Sequence, residues 1–422
     1  MPPPGSRALF FRKATQLLTL AGPPVPRRST ALGELGIIQD GAVLTAGSRI
    51  VRVGTTAELE AEARRLKARP IDCRGCVLMP GFVDCHTHLV FAGNRLEDYE
   101  QRIQGKSYEE TAAGGGIRLS AHRLRQASPR DLARQATCFL KEFAAHGTTT
   151  VEAKSGYGLD LANELKILAV MRRLRRMSPV EVVPTLLAAH ALPPEYQEGS
   201  KAYLELVAKR LIPLVARKKL AEFVDCFCDR GAFSVPECRR VLAAGVRYGL
   251  IPRIHAEQLS RTGASRLAAE LGAASADHLD HVTDADVCRL ASSQVVAVLL
   301  PGANFHLGLR RYPPARRLID AGATVALATD FNPGSSPTLN MQFVLSLACT
   351  AMRMTPAEAI SAATINAAYS LRRAGRLGSL ERGKQADLAI MAVSDYREIP
   401  YYFAWNHCVL TVKRGQIIYC RE

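Results

Sequence analysis

The chain has 422 residues, 48% of them hydrophobic and 22% charged, which is an ordinary balance for a globular protein with a large buried core. No apolar run reaches the roughly 18–20 residues that a membrane-spanning helix requires. The net charge of +16 at pH 7 is spread along the chain, and no aromatic-rich RNA-binding motif accompanies it. We therefore predict no nucleic-acid partner, but a basic surface that attracts small anionic molecules.

The eleven cysteines would suggest a disulfide framework only in a small secreted chain. Cys73 and Cys76 form a C-x-x-C pair, and Cys226 and Cys228 a C-x-C pair, but neither has a second pair at zinc-site spacing. The N-terminus is basic and lacks acidic residues, as transit peptides do, yet its short apolar part continues into a strand-like pattern. We predict reduced thiols in a cytoplasmic protein without a targeting signal.

Both ends of the chain contain short strand-like runs. In residues 1–77 these runs are interrupted by Gly and Pro, and they are Gln16–Leu20, Gly36–Gln39, Ala42–Leu44 and Ile50–Val53. In residues 376–422 they are Asp387–Ala392, Cys408–Lys413 and Gln416–Cys420. We predict that the two ends pair into one small composite β-sandwich domain.

Residues 78–375 alternate short apolar runs with amphipathic stretches of helical length, which is typical of a βα repeat with a parallel sheet. One such stretch, Asp131–His146, is followed by Gly147, a typical helix stop. The pattern predicts an α/β fold with a TIM-type (β/α)8 barrel, whose active site lies at the carboxyl-terminal ends of the strands. The candidate inner strands are Met79–Cys85, Thr148–Ala153, Val180–Ala188, Ala221–Phe227, Leu250–His255, Ala273–His278, Gln294–Leu300 and Ala323–Thr329.

The strongest chemical signal is the motif Pro-Gly-Phe-Val-Asp-Cys-His-Thr-His at residues 80–88. Residues two apart on a strand point the same way, so His86 and His88 are expected to project together into the barrel mouth. A lone His-x-His pair is weak evidence, but two imidazoles at the end of the first barrel strand are half of a metal site.

Other candidate strands also end in residues that bind metals. These residues are His255, His278 and Asp330. Each by itself has a structural interpretation as a packing or turn residue, but their joint placement predicts one zinc or iron ion held by His86, His88, His255 and Asp330. The metal would lower the pKa of a water molecule, and Asp330 would take its proton. His278 would polarise the substrate carbonyl, with His281 as the less favoured alternative.

A single metal is favoured over two. Enzymes that bridge two metals with a modified lysine take it from the fourth strand, and Glu222–Phe227 contains none. Lys154 follows the second candidate strand instead.

Longer strings along almost the whole chain resemble the amidohydrolase superfamily, and within it the enzymes that open the ring of 4-imidazolone-5-propanoate. The resemblance implies hydrolysis of that substrate to N-formimidoyl-L-glutamate in histidine degradation, and it is compatible with a homodimer. The strings are Val90–Tyr108, Glu152–Leu159, Leu187–Tyr196, His255–Ser260, Ser275–His281 and Thr329–Thr338.

The resemblance also implies roles for substrate-binding residues. Arg95 would clamp the propanoate carboxylate, since a planar guanidinium binds a carboxylate through two hydrogen bonds, although a surface arginine is the alternative. Tyr157 lies in a tight glycine loop and would reach the substrate with its hydroxyl, and His190 would contact the ring. The remaining predicted contacts are Gln258 and the polar loop residues Asn332, Gly334 and Ser335.

Gln258 stands where members of the superfamily carry either Glu or Gln. A neutral amide cannot act as a base, so that role falls to Asp330, with Glu257 as a runner-up. Two other functions stay open. Another single-metal amidohydrolase, such as a nucleobase deaminase or a hydantoinase-like enzyme, would share the histidines but would not need Arg95. An inactive scaffold of the same fold would be expected to lose metal ligands.

Overall fold

The structure is a computed structural model that describes residues 8–107, 110–111, 115–196 and 199–422. The first seven residues of the basic N-terminus and Tyr108, at the end of one of the quoted strings, lie outside the described residues. None of the helices in the described part combines the length and the apolar character that crossing a bilayer takes. The cysteines are free thiols, and most of them are buried.

The described residues form strands that belong to two sheets. The strands are β1 (Ala8–Leu18), β2 (Ile37–Ala46), β3 (Arg49–Thr55), β4 (Arg69–Asp72), β5 (Val77–Pro80), β6 (Phe82–Asp84), β7 (Thr148–Lys154), β8 (Glu181–Ala189), β9 (Phe223–Cys228), β10 (Ile251–Ala256), β11 (Ser275–His278), β12 (Val296–Leu299), β13 (Thr324–Leu327), β14 (Leu388–Met391), β15 (Cys408–Lys413) and β16 (Gln416–Cys420).

Most of the helices surround the sheet of strands β6 to β13 and connect its strands, whereas the first helix packs against β2 and β3 of the other sheet. They are α1 (Thr56–Arg65), α2 (Leu96–Ile103), α3 (Gly116–Gln126), α4 (Pro129–Ala145), α5 (Leu161–Met177), α6 (Ser200–Leu206), α7 (Ile212–Arg217), α8 (Val235–Arg247), α9 (Ala264–Glu270), α10 (Asp284–Ala291), α11 (Pro301–His306), α12 (Ala315–Asp320), α13 (Met341–Met352), α14 (Pro356–Ala362), α15 (Ile365–Ser370) and α16 (Glu398–Tyr401).

Strands β6 to β13 form the predicted barrel. They are parallel and follow one another in chain order, and β7, β9 and β11 are buried along their whole length because helices cover the outside. The first and last strands approach each other beyond their carboxyl ends, where Thr87 and Phe331 form a parallel bridge. The (β/α)8 architecture is confirmed, and its strand ends converge on one face.

The two ends of the chain share the other sheet, as expected. Its order is β16-β15-β14-β5-β1-β2-β3, with β4 paired to β1. The junction between the ends is the antiparallel pair β5 and β14, in which Pro80 faces Leu388. The division of the chain into domains at residues 77 and 375 stays a prediction.

The first predicted inner strand, Met79–Cys85, is in fact two strands in two different sheets. Met79 and Pro80 belong to β5 of the composite sheet, and the barrel strand β6 begins only at Phe82. The switch occurs at Gly81, where a Cβ atom would lie 2.2 Å from the Thr149 side chain. A residue without a side chain lets the chain pass this close to β7. A continuous run of apolar residues gives no sign of such a change of sheet.

Candidate metal centre and active site

The five residues that the sequence placed at strand ends meet at the carboxyl-terminal end of the barrel. All of them are buried: His86, His88, His255, His278 and Asp330. One ligand atom from each of His86, His88 and His255 lies within 4.8 Å of the others, and the same holds for His86, His278 and Asp330. The joint placement that the sequence suggested is therefore present in three dimensions.

Main-chain and side-chain bonds join the His-x-His segment to the segment that carries Asp330. The amide of Asp330 donates to the carbonyl of His86 (3.1 Å), and the amide of His88 donates to the carbonyl of Phe331 (2.8 Å). Asp84 accepts the hydroxyl of Thr329 (2.5 Å). These bonds put Asp330 Oδ1 at 3.4 Å from His86 Nε2 and 3.6 Å from His88 Nε2.

Two residues of the cluster have strained backbones. The φ angles are +82° at His278 and +55° at Asp330, in the left-handed region that residues with a side chain rarely adopt. Such strain costs of order 1–3 kcal/mol per residue and clusters at functional sites. It is consistent with a site in which the directions of these two side chains matter.

Several buried histidine nitrogens in the cluster have no hydrogen-bond partner. His86 Nδ1 lies 2.6 Å from Asp277, and His255 Nδ1 lies 3.1 Å from Asp225, so the Nε2 atoms of both rings point the other way. Within the described part of the chain, those two Nε2 atoms and the Nδ1 atoms of His88 and His255 have no hydrogen-bond partner, since the contact of His255 with Asp225 lies outside hydrogen-bond geometry. Buried polar atoms are rarely left unpaired, so the donor set fits a metal ion that takes nitrogen and oxygen ligands.

The pKa shifts of two of the histidines agree with metal binding, which requires neutral imidazoles. Burial and the neighbouring cations lower the pKa of His86 and of His88 well below the ordinary imidazole value, so their lone pairs are free at neutral pH. Burial raises the pKa of Asp330 well above that of an ordinary carboxyl group. A carboxyl group with a raised pKa accepts a proton more readily than one in water.

Beneath the histidines lies a layer of buried charges that the sequence analysis did not assign to the site. It contains the cations Lys154 and Arg253 and the carboxylates of Glu152, Asp225 and Asp277, all fully buried. Arg253 donates to the carbonyl of Cys85 (2.8 Å) and lies 3.3 Å from Asp277. Charged residues within otherwise apolar strands could have indicated this layer from the sequence, since charged residues are almost never buried unless they are paired.

A cavity above the cluster is lined by almost all of the predicted site residues. Ile117 and Phe227 also line it and were not predicted. The complete lining is His88, Arg95, Ile117, Tyr157, His190, Phe227, His255, Gln258, His278, Asp330, Asn332 and Ser335.

Arg95 immediately precedes helix α2 and is buried, with only 5% of its surface exposed. Its guanidinium lies against Gly334, where an added Cβ atom would come within 1.6 Å of Nη2. The nearest carboxylate, that of Asp98, is 3.9 Å away. Gly334 does not line the cavity. Its lack of a side chain leaves the space that the guanidinium occupies, and its predicted contact with the substrate stays a prediction.

Tyr157 and His190 face each other across the cavity wall, with ring centroids 5.4 Å apart. His190 Nδ1 bonds to the carbonyl of Gly156 (3.0 Å), which turns Nε2 towards the cavity, and burial lowers the pKa of His190 to about 3. The glycine loop is held by Glu164, whose carboxylate accepts the amides of Gly156 (3.1 Å) and Gly158 (2.7 Å). Glu164 was not predicted, because its role appears only when α5 packs under the loop.

Asn332 organises the loop after Asp330. Its amide nitrogen donates to the carbonyl of Asp330 (2.6 Å) and to Ser335 Oγ (2.9 Å), and its oxygen accepts the amides of Gly334 and Ser335. Those four bonds use its full capacity. Ser335 Oγ in turn lies 3.4 Å from Asp330 Oδ2, so the loop fixes the carboxylate.

Gln258 lines the cavity, whereas the two alternative residues do not. Glu257 directs its carboxylate to the start of α9, where it accepts the amides of Gly263 (2.8 Å) and Ser265 (3.0 Å). His281 is only partly buried, and its amide donates to the carbonyl of Glu257. The geometry thus favours Asp330 and His278 over Glu257 and His281.

Comparisons with known proteins agree with this site. Residues 77–418 match the amidohydrolase family. The imidazolonepropionase of Geobacillus kaustophilus is 48% identical over 416 residues, which cover 98% of each chain. The imidazolonepropionase of Solibacter usitatus is 48% identical over 410 residues, covering 96% of this chain and 97% of that protein.

Solved structures show the same fold at low sequence identity. Guanine deaminase of E. coli aligns with a TM-score of 0.75 at 16% identity, covering 98% of this chain and all of that one (100%). The atrazine chlorohydrolase of Arthrobacter aurescens, solved with zinc, aligns with a TM-score of 0.73 at 18% identity, covering 98% and 95% of the two chains. From the family match and the full-length relatives, the chain belongs to the amidohydrolase family and, within it, to the imidazolonepropionases.

Proposed function

We propose that this chain hydrolyses 4-imidazolone-5-propanoate to N-formimidoyl-L-glutamate, a step of histidine degradation. The observation that carries the proposal is the presence, in one cavity, of a buried guanidinium and a His/Asp cluster suited to a metal. The first is a partner for a carboxylate, and the second is the machinery for opening a cyclic amide. The names of the full-length relatives support the same substrate.

For the metal we propose one zinc or iron ion held by His86, His88, His255 and Asp330. When bound, such an ion supplies a water molecule with a pKa near 7 and Lewis acidity for the carbonyl of the ring. Support comes from the lowered pKa values of His86 and His88, from the grouping of one ligand atom of each histidine within 4.8 Å, and from the absence of a cysteine among the cavity-lining residues of the described chain. Nitrogen and oxygen ligands suit both metals.

For proton transfer we propose Asp330 as the base that takes the proton of the attacking water and returns it to the leaving nitrogen. Oδ1 of Asp330 lies within 3.6 Å of the Nε2 atoms of both His86 and His88, and Ser335 and the neighbouring loop hold its carboxylate in place. His278 lies beside the cluster, with its ring centroid 5.4 Å from that of His255, and we assign it the polarisation of the ring carbonyl.

For substrate recognition we propose that Arg95 binds the propanoate carboxylate. The only carboxylate paired with this buried guanidinium in the described chain, that of Asp98, is 3.9 Å away, beyond hydrogen-bond distance, and Nε of Arg95 has no partner. Donors thus remain for an anionic ligand, and the low polarity around them strengthens such a bond. Tyr157, His190 and Gln258 would contact the substrate from the cavity wall. Asn332, Gly334 and Ser335 would act mainly by shaping the loop that supports Asp330 and Arg95.

The test is hydrolysis of 4-imidazolone-5-propanoate by purified protein whose metal content has been measured. We expect loss of the ring absorbance, release of formimidoylglutamate at about one bound zinc or iron per chain, loss of activity on chelation and recovery on adding metal back. His255→Ala serves as the control without a complete ligand set. Metal bound without turnover would overturn the substrate assignment, and cyclic amides and nucleobases would be tried next.

Two further predictions concern the whole molecule. We propose a cytoplasmic protein that forms a homodimer, as the resemblance suggested. Size-exclusion chromatography with light scattering gives the number of chains per particle, and imaging of a tagged full-length chain in cells gives its location. A monomer in solution, or a signal confined to an organelle, would contradict these predictions.

A further inference from the structure

Lys154 is a fully buried lysine that the proposed reaction does not use. It is the last residue of barrel strand β7, and none of its surface is exposed. Its ammonium group lies 2.8 Å from Asp225, 3.0 Å from Glu152 and 3.6 Å from Asp277. Burial acts to lower its pKa, but Asp225 and Glu152 outweigh this and raise it, so the lysine stays charged.

We propose that Lys154 is a positioning residue that orients the three histidine ligands of the metal at once. Each of the three carboxylates around its ammonium group also contacts a different part of the proposed ligand set: His255, His86, or the residue between His86 and His88. This inference rests on the metal site proposed above. The residue that would support the site belongs to β7, a strand that carries none of the proposed ligands.

The first two connections run through imidazole nitrogens. The Oδ2 atom of Asp225 contacts both Lys154 and His255 Nδ1 (3.1 Å), and the Oδ2 atom of Asp277 contacts both Lys154 and His86 Nδ1 (2.6 Å). The hydrogen bond to Asp277 fixes the tautomer of His86 in which Nε2 carries the lone pair. Asp225 lies at ion-pair distance from Nδ1 of His255, outside hydrogen-bond geometry, so it orients that ring by charge. Lys154 thereby holds both carboxylates that lie beside the Nδ1 atoms of His86 and His255.

The third connection runs through the backbone between His86 and His88. Glu152 accepts Lys154 on one oxygen and the amide of Thr87 on the other (3.2 Å), and its carbonyl accepts the hydroxyl of Thr87 (2.6 Å). The amide of Lys154 also donates to the carbonyl of Thr87 (2.9 Å). The residue between the two histidines is therefore held on both sides by strand β7.

An ammonium group suits this position because it has three donors and no acceptor. Among the described residues that form ion pairs with these carboxylates, Arg253 reaches Asp277 but not Asp225, so it is not equivalent. The charge of Lys154 has an opposing effect, since a cation repels a metal ion. Removing it would strengthen metal binding if charge dominated and weaken binding if the orientation of the ligands dominated.

The experiment is titration of the metal-free full-length protein with Co²⁺, followed by the visible absorption of the ion. We expect Lys154→Met to bind Co²⁺ at least about tenfold more weakly than the wild type, the range typical of changes behind metal ligands. We also expect a shifted spectrum, because the ligand geometry changes. Lys154→Gln keeps two of the donors, and we expect an intermediate affinity. It also provides a second, milder variant if the first does not fold.

The matched control is Lys413→Met. Lys413 is another buried lysine between two carboxylates, 2.8 Å from Asp387 and 3.3 Å from Glu181, but it lies at the other end of the barrel. It should lose thermal stability with unchanged Co²⁺ affinity and spectrum. Equal or tighter Co²⁺ binding by both Lys154 variants, with an unchanged spectrum, would overturn the inference. A wild type that binds no Co²⁺ would instead overturn the metal site itself.

Discussion

At each end of the barrel a lysine is buried among carboxylates, but the groups around the two lysines differ. At the carboxyl-terminal end, the carboxylates around Lys154 also contact histidines that keep unpaired nitrogens. At the amino-terminal end, Lys413 pairs with Asp387 and Glu181, and arginines complete the pairing. The arginines that contact Glu181 are Arg373, Arg376 and Arg414.

The difference separates charges that stabilise the fold from charges that prepare a site. Where every buried charge is paired, no polar group is left to bind a ligand. Unpaired buried nitrogens and left-handed backbones, by contrast, cost free energy of folding, which suggests that they serve a function. Substitutions at the carboxyl-terminal end should therefore lower activity, and substitutions at the amino-terminal end should lower stability. The following experiments test this from the largest expected change in activity to the smallest.

The largest change is expected for Asp330→Asn. The amide keeps the shape of the side chain but cannot take a proton and binds a metal poorly, so we expect kcat to fall by about 10²–10⁴-fold. The control is Asp280→Asn, at the same end but outside the cavity lining, where burial raises the pKa of Asp280 to about 7. The measurement is steady-state kinetics with metal analysis. An equal loss of kcat in both variants would contradict the role of Asp330 as metal ligand and base.

Next comes Arg95→Met, which removes the proposed clamp for the propanoate group. A hydrogen bond to a charged group contributes about 1.5–3 kcal/mol, so kcat/KM should fall by about 10- to 150-fold, mainly through KM. An imidazolone without the acid side chain should be hydrolysed equally by the wild type and the variant. A variant that discriminates against both compounds to the same extent would show that Arg95 does not read the carboxylate.

A smaller loss, about tenfold in kcat/KM, is expected for Gly334→Ala. The added Cβ atom would overlap the Arg95 guanidinium, and small displacements of a positioning group are costly. Gly375→Ala is the matched control, since nothing lies within 4 Å of a Cβ atom there and its backbone is not left-handed. If Gly334→Ala kept the wild-type KM, the packing of Arg95 on this glycine would be unimportant for recognition.

The smallest change in activity is expected for Glu181→Gln at the amino-terminal end. Burial alone would raise the pKa of Glu181, but Lys413, Arg376 and Arg373 outweigh it and lower the pKa to about 2, from an ordinary 4.5. A carboxyl group with a lowered pKa contributes stability above pH 4.5 and loses it as the pH falls towards 2, here about 2–3 kcal/mol.

We expect Glu181→Gln to unfold at lower denaturant concentration at pH 7, with kcat/KM unchanged. The difference from the wild type should shrink as the pH falls from 4.5 towards 2. Denaturant unfolding across this range, with kinetics at pH 7, provides the check. A loss of activity without a loss of stability would show that the ion-pair end is coupled to the reaction.

The amino-acid sequence by itself determined the barrel and most of the ligand set. Apolar strands alternating with amphipathic helices are local patterns, and helix α4 (Pro129–Ala145) ends two residues before Gly147, the predicted helix stop. His86, His88, His255 and His278 could be located because a parallel barrel brings all the carboxyl ends of its strands to one face. The resemblance to a known family then identified cavity residues such as Arg95 and Tyr157.

Only the tertiary structure decided which groups support the site and how. The split of Met79–Cys85 between two sheets, the space that Gly334 leaves for Arg95 and the contacts of Lys154 with Asp225 and Asp277 join residues far apart in the chain. Local patterns report periodicity and turn chemistry, whereas these contacts depend on which strands become neighbours once the barrel closes. The cluster of histidines could therefore be predicted from the sequence, but the buried charges in contact with it could not.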